Sequence, residues 1–247
     1  MSKPSYAVAN KADYGIEGIR EVKIMWVLGS ILLIAAIFLF QLDGLVWTIV
    51  SFIFLAITII SYGESTWMTL SSKKGQGRVV NDMFGKLNLK KDDMVLDVGC
   101  GRGFLMNSLA KQVSGGKVIG IDTWSDKRNR NAPETTLQNA KTEGVKDRVE
   151  IQTADARNLP FEDETFDAVA SSLTIHTIPD PDHRQKALEE IARVLKPGGL
   201  VAIMDFMYVE EYPAILAKAG LTDVEKSQFY FSMFPPVIIV SGKKKAE

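Results

Sequence analysis

Cysteine is almost missing from this chain. The single Cys100 in 247 residues excludes an intramolecular disulfide framework. Two histidines, His176 and His183, leave little from which to build a zinc site, so no metal is expected. Neither sign of charge dominates. Lys and Arg number 29 and Asp and Glu 30, for a net charge of -1, so there is no broad basic surface to grip nucleic acid and no such partner is expected. Internal repeats and low-complexity tracts are also lacking. With 46% hydrophobic and 24% charged residues, intrinsic disorder is excluded as the main state. A mass of 27.3 kDa allows one sizeable domain and an appendage.

What is present is unevenly distributed. Ile24–Phe40 and Leu45–Tyr62 are runs of 17 and 18 residues without a charge, joined by Gln41-Leu-Asp-Gly44. Neither shows the polar stripe of a helix with one wet face. At about 1.5 Å per residue each reaches roughly 26 Å, close to the ~30 Å of a bilayer's hydrocarbon core. Trp26, Trp47 and Tyr62 lie near segment ends, where amphipathic aromatics favour the membrane interface. The pattern predicts an α-helical transmembrane hairpin; a hairpin dipping into one leaflet and a pair of soluble core helices are the alternatives. A cleaved signal peptide fits poorly, because Asp13, Glu17 and Glu21 precede the first run and a second follows at once.

Lys3, Lys11, Arg20 and Lys23 flank the first run, Lys73, Lys74 and Arg78 follow the second, and the connecting loop has no basic residue. The positive-inside rule then predicts an integral membrane protein with two spans and with both termini and the soluble domain in the cytosol. The expected organisation is an arm over residues 1–23, the hairpin over 24–62 and a soluble domain over 63–247.

From residue 65 the pattern alternates. Expected strands are Met94–Val98, Lys117–Ile121, Arg148–Thr153, Phe166–Ser171 and Leu200–Asp205, with a closing pair at Val224–Phe231 and Val237–Ser241. Expected helices are Ser65–Leu87, Phe104–Val113, Pro133–Glu143, His183–Leu195 and Glu210–Ala219. Apolar strands alternating with helices predict an α/β domain with a mostly parallel sheet covered on both faces.

Val95-Leu-Asp-Val-Gly-Cys-Gly-Arg-Gly103 is the strongest local signal. A buried strand runs into a turn where Gly99, Gly101 and Gly103 have no Cβ, so a ligand can lie against the backbone. A tight strand–helix turn is the bland alternative. Asp122, at the end of the second strand, is placed to accept both hydroxyls of a ribose, and Asp155 after the third could accept from an adenine amino group. A nicotinamide dehydrogenase shares the glycines and the acid, but its turn reads G-x-G-x-x-G where this one reads G-x-G-x-G. Asp97, two residues before the first glycine, suits an ammonium better than a pyrophosphate.

With these residues the chain resembles a class I S-adenosylmethionine (SAM)-dependent methyltransferase from about Ser65 to the C-terminus. Tyr14-Gly-Ile-Glu17 and Tyr62-Gly-Glu-Ser-Thr-Trp-Met68 resemble membrane-anchored members of that superfamily. The resemblance implies a Rossmann-like fold with a seven-stranded sheet and SAM as cofactor. It implies that Asp97, Gly99 and Gly101 hold the methionine end, with Gly103 completing the turn, and that Asp122 holds the ribose. Asp155 would meet the adenine amino group with Ala156 on the ring, and Ser171 and Ser172 would face the transferring methyl. The segment Thr123–Asn131 is longer and more polar than the usual entry into the next helix. Trp124 either covers the adenine or packs against that helix.

His176, past the fourth strand, is the candidate general base for an acidic acceptor, because imidazole exchanges protons near neutrality; a structural histidine is the alternative. Asp205 either orients substrate or caps its strand. Tyr14 is either part of an N-terminal lid or of a loose arm. Asp180-Pro-Asp-His183 reads as an N-cap turn rather than a metal site, and Cys100 as a small buried side chain rather than a nucleophile. The expected function is methyl transfer to a small, lipophilic acceptor at a lipid bilayer. A catalytically silent SAM-binding scaffold is the competing expectation.

Overall fold

A computed structural model describes residues 12–15, 19–125 and 131–246, apart from the side chains of Lys73 and Lys74. Lys3, Lys11 and Glu17, and residues 126–130 of the polar segment after Asp122, lie outside the described residues. The described chain divides into two compact units. One comprises Gly15–Val79 and Phe229–Val237; the other comprises Val80–Gln228 and Ile238–Glu247 together with the described part of Met1–Tyr14.

The first unit is built on two long helices, α1 (Ile19–Leu39) and α2 (Leu45–Leu70). Both are long and apolar enough to cross a membrane, with mean hydropathy of 2.4 and 2.3 over their most apolar windows. The only buried residues of α1 are Val22, Gly29 and Ala36; those of α2 are Ser51, Thr58 and Ser65. Each set repeats every seven residues, which keeps one narrow seam of each helix facing the other. Across the seam Ser51 donates to the Ala36 carbonyl at 2.7 Å and Thr58 to the Gly29 carbonyl at 3.3 Å, while Trp26 packs on Tyr62 with centroids 4.6 Å apart. Large apolar side chains point outward instead: Ile34, Phe38, Leu45 and Ile59 are all more than 60% exposed.

The second apolar helix does not stop at Tyr62. Without a proline to break it, the backbone continues through a π-helical turn, Ser71–Gly75, into α3 (Gln76–Leu87).

The second unit holds the seven-stranded sheet. Its strands are β1 (Met94–Val98), β2 (Lys117–Asp122), β3 (Val149–Thr153), β4 (Phe166–Ser172), β5 (Leu195–Asp205), β6 (Leu221–Lys226) and β7 (Ile238–Lys244), in the order β3-β2-β1-β4-β5-β7-β6. Neighbours among β1 to β5 run parallel, and β7 enters antiparallel between β5 and β6. The intervening helices are α4 (Phe104–Gln112), α5 (Pro133–Thr142), α6 (Pro181–Val194) and α7 (Tyr212–Lys218). The chain leaves β1 toward β2 and β4 toward β5 in opposite directions, and by the right-handed rule for parallel crossovers α4 and α6 belong on opposite faces. The fold class is therefore as expected, a mixed and mostly parallel sheet with helices. The core joins Leu96, Val98, Phe166 and Val169 of the sheet to Leu188 and Ile191 of α6 and Tyr212 of α7. Full burial of a side chain such as Phe166 contributes about 2–3 kcal/mol.

Three of the boundaries that differ from expectation have a clear local cause. Strand β5 begins at Leu195, because Leu195 already pairs with Phe166 and a bulge between Phe166 and Ala168 absorbs the irregular Lys-Pro-Gly-Gly stretch. Strand β6 begins earlier and ends at Lys226, so only an isolated bridge between Tyr230 and Val237 marks the expected continuation to Phe231. Helix α6 begins at Pro181, where Asp180 caps it by accepting the His183 amide at 2.9 Å, so Asp180-Pro-Asp-His183 is indeed an N-cap turn.

Candidate cofactor and acceptor site

The strand order reverses between β1 and β4. Open parallel sheets leave a crevice at the carboxyl ends of the strands at such a point. Val98 and Ser171 are partners in this pair, and the Ser171 hydroxyl donates to the Val98 carbonyl at 2.9 Å. Ser171 is thus fully buried and its hydroxyl is committed to tying the strands together; only Ser172, partly exposed, remains nearer the crevice.

Beyond Val98 the chain turns on Gly99, Gly101 and Gly103, all at positive φ. Gly99 shows why no side chain is admitted there. Its φ is +78°, and a Cβ would come within 2.1 Å of Thr174 Oγ1. The Gly99 and Cys100 amides donate to the Ile121 carbonyl, which locks the turn to the end of β2, and α4 starts directly after Gly103. Asp122 reinforces the lock. One of its oxygens accepts the Gly101 amide at 3.0 Å and the other the Trp124 amide at 2.7 Å. Each oxygen retains a further lone pair.

Asp97 is the unusual group. It is 1% exposed, and among the described residues neither carboxylate oxygen has a hydrogen-bond partner. Burial pushes its pKa up to about 8; the nearby Met106 amide, short of a formed hydrogen bond, opposes this and the Asp122 charge adds to it. An unpaired buried carboxyl is costly unless something completes it, and a cation is the group that does so best. Cys100 is buried beside it. Burial, then the charges of Asp97 and Asp122, push its thiol well above the ordinary range, away from thiolate chemistry.

At the far side of the sheet ends, Trp124 donates its indole N–H to Thr153 Oγ1 at 2.9 Å, so it lies across the ends of β2 and β3. Asp155 is gripped by Arg157, whose Nε lies 2.9 and 3.0 Å from the two carboxylate oxygens, and this contact holds the acid below its usual range. Ala156 packs on the edge of the core.

On the other wall of the crevice, Asp205 ends β5 fully buried. It accepts the Phe206 amide on Oδ1 and the His176 amide and the Tyr212 hydroxyl on Oδ2. His176 Nδ1 approaches Asp205 Oδ1 to 2.5 Å, and the imidazole packs on Phe206 with centroids 4.4 Å apart. Burial, then the Asp205 charge, raises the Tyr212 pKa. The sequence reading named His176 and Asp205 but not their juxtaposition, and it missed Tyr212, whose role depends on a helix folding back. Arg184 steadies the following segment. It is buried, ion-pairs with Glu211 at 2.5 Å and lies 3.7 Å over the Tyr208 ring.

The N-terminal residues 12–14 dock beside the glycine turn. Asp13 exchanges two backbone bonds with the Asn139 amide group and pairs with Arg102 at 2.7 Å. Asn107 donates to the Tyr14 hydroxyl at 3.1 Å, and the Tyr14 ring meets Phe104 edge-on. Burial, opposed by the Asn107 bond, lifts the Tyr14 pKa to about 12. Asn107 and Asn139 were not legible in the sequence, since asparagine in a helix carries no pattern of its own.

With this geometry in view, the chain carries a methyltransferase domain of the class I, SAM-dependent kind: a family profile described as "Methyltransferase domain" matches residues 96–203. SAM is the cofactor of that class. Among its relatives, methyltransferase GfsG of Streptomyces halstedii is 30% identical over 60% of this chain and 59% of its own length. The chloroplastic 2-phytyl-1,4-beta-naphthoquinone methyltransferase of Arabidopsis thaliana is 39% identical over 53% of this chain and 49% of its own length. A solved SAM-dependent methyltransferase from Aquifex aeolicus superposes with a TM-score of 0.53 at 26% identity, covering 66% of this chain and 88% of that one. The chain spans about half the length of the curated relatives it matches.

Proposed function

We propose that this protein is a membrane-anchored methyltransferase that moves a methyl group from SAM to a small lipophilic acceptor. The observation that carries the reading is Asp97: a buried, unpartnered carboxyl beside a glycine turn is a built receptor for the ammonium of the methionine end. Asp122 would take the ribose, Asp155 the adenine amino group once Arg157 is displaced, and Trp124 and Ala156 the flanks of the ring. The cofactor supplies an activated methyl and its leaving group. The protein's share is position, with the acceptor held in line and about 3–3.5 Å from the methyl.

His176 takes the acceptor's proton at Nε2, and Asp205 acts as its positioning residue through Nδ1 and the backbone amide. The lipophilic acceptor is supported by the partly exposed Phe206, Met207 and Tyr208 that follow Asp205, and by the naphthoquinone methyltransferase among the relatives. The membrane anchor is supported by the inverted burial of α1 and α2, with small and hydroxyl side chains inside and large apolar ones outside. In this reading both termini and the soluble domain lie on the cytosolic side.

Calorimetric titration of the detergent-purified chain with SAM, its demethylated product and NADH tests the cofactor assignment. Binding of the two sulfur nucleosides without NADH is expected; a folded sample that ignores SAM overturns the reading. With a hydroxylated naphthoquinone as acceptor and labelled methyl, His176→Ala is expected to lower kcat about a hundredfold with SAM affinity unchanged. Equal loss of both would assign His176 to structure.

A further inference from the structure

The nine residues Phe229–Val237 lie between β6 and β7, yet they form part of the unit built on α1 and α2. Two contacts place them there. Phe234 packs on Trp67 of α2 with ring centroids 5.0 Å apart. Gly75, in the π-helical turn beyond α2, meets the backbone of Ser232 so closely that a Cβ would stand 1.8 Å from the Ser232 carbonyl oxygen. A strand-connecting segment held this tightly has a fixed level along α2.

That level follows from the length of the helix. A hydrocarbon core of about 30 Å takes up roughly 20 helical residues. Counted from Leu45, these run out at Glu64, the first charged residue of α2. Trp67, Leu70 and the π-helical turn then emerge at headgroup level, with Lys73 and Lys74 in sequence positions that suit anionic headgroups. The segment docked on Trp67 and Gly75 shares that level. On it, Phe229 and Phe231 are 56% and 63% exposed, and their rings lie 6.1 Å apart. Between them the Tyr230 amide donates to the Val237 carbonyl at 2.8 Å, and the chain turns at Phe231, which leaves the two rings side by side.

We propose that Phe229 and Phe231 form a third membrane contact: a pair of aromatic wedges that enter the headgroup region of the leaflet from which α2 emerges, beside the helical hairpin. The partner is the lipid surface itself. This rests on the membrane reading above, and it assigns to the β6–β7 connection a role that the methyltransferase domain does not require. Two apolar rings at the interface hold the connection against the leaflet in which a lipophilic acceptor is dissolved.

The full chain, reconstituted in vesicles of phosphatidylcholine and phosphatidylglycerol, tests this with a fluorophore at an introduced cysteine. The native Cys100 is buried and its thiol pKa is raised, so it competes little for the label. Three positions are compared: Ile34→Cys on the outer face of α1, Phe231→Cys, and Glu162→Cys on an exposed polar turn. Lipids brominated near the headgroup are expected to quench the label at 231 at least about threefold more than that at 162. Lipids brominated near the chain end should quench the label at 34 most. Gly75→Ala, which forces Ser232 away, is expected to lower quenching at 231 and leave that at 34 unchanged.

If 34 is not quenched, the membrane reading fails and this inference with it. If 34 is quenched and 231 behaves like 162, this inference alone fails. A label at 231 that is shielded from water yet unquenched by lipid would mean a second protein surface covers it, and would equally overturn the proposal. SAM titration of each variant verifies that it is folded.

Discussion

The two units solve burial in opposite ways. In the sheet unit the interior holds Phe166, Leu96, Ile191 and Tyr212, with a few buried polar groups among them, such as Asp97, Asn107 and Arg184. In the helix pair the interior holds Gly29, Ala36, Ser51 and Thr58, and the outside holds isoleucine, leucine and phenylalanine. Water drives the first arrangement, since each large apolar side chain gains by leaving it. On the proposed membrane reading the helix pair lies in hydrocarbon, where that gain disappears and close backbone approach and hydroxyl bonds across the seam decide the packing. The same distinction separates two kinds of buried polar group. Ser51 and Thr58 are satisfied within the structure, whereas Asp97 is not, and only the unsatisfied group points to a ligand.

The comparison breaks most visibly at Asp97. Asp97→Asn keeps the shape and removes the charge, and SAM affinity measured by titration is expected to fall on the order of a hundredfold, since a charged buried hydrogen bond is lost. Thermal stability without cofactor should hold or rise. Next comes Gly99→Ala. The added Cβ meets Thr174 at a positive φ, and an unfolding free energy lower by about 2 kcal/mol is expected in chemical denaturation of the sheet unit. An unchanged midpoint would mean that the turn can shift.

A pH series sharpens the case for Asp97. Its pKa of about 8, against 3.8 for an unperturbed carboxyl, means that the folded protein keeps a proton the unfolded chain has lost. Stability from this group is therefore complete below about pH 4 and is lost as pH rises toward about 8. SAM requires the ionised form, so its affinity should rise roughly tenfold per pH unit from about pH 6 until the ligand's own amino group titrates at about 7.7–8. Both slopes should vanish in Asp97→Asn. The smallest effect belongs to the helix seam. Ser51→Ala removes the bond to Ala36 and is expected to weaken the helix pair by about 0.6 kcal/mol in a bilayer-based unfolding assay. A loss of several kcal/mol would mean that the seam tolerates no adjustment.

Much of this was readable residue by residue. The strands that carry the glycine turn and Asp122 fall within one residue of expectation, because buried parallel strands are short apolar runs bounded by turn residues. Helix and strand ends were less legible where no stop signal operates. Tyr62 is followed by Gly63, which alone is too weak to end a long helix, and Leu195–Gly199 reads as a turn although Leu195 pairs with Phe166. Of the site residues, the carboxylates stood out by position, but their satisfaction did not. Asp122 and Asp205 are bonded by backbone amides, Asp155 by Arg157 and Asp97 by nothing among the described residues.

The sequence alone determined the class of fold, the glycine turn and the two uncharged runs, because each depends on local period, charge and spacing, and its resemblance to a known family pointed to the cofactor. The tertiary structure alone decided which acid is left without a partner, that His176 meets Asp205, that the helix pair turns its small residues inward, and that a strand connection at 229–237 joins the helices. These depend on contacts between residues far apart in the chain, where pairwise distance, not pattern, sets the energy.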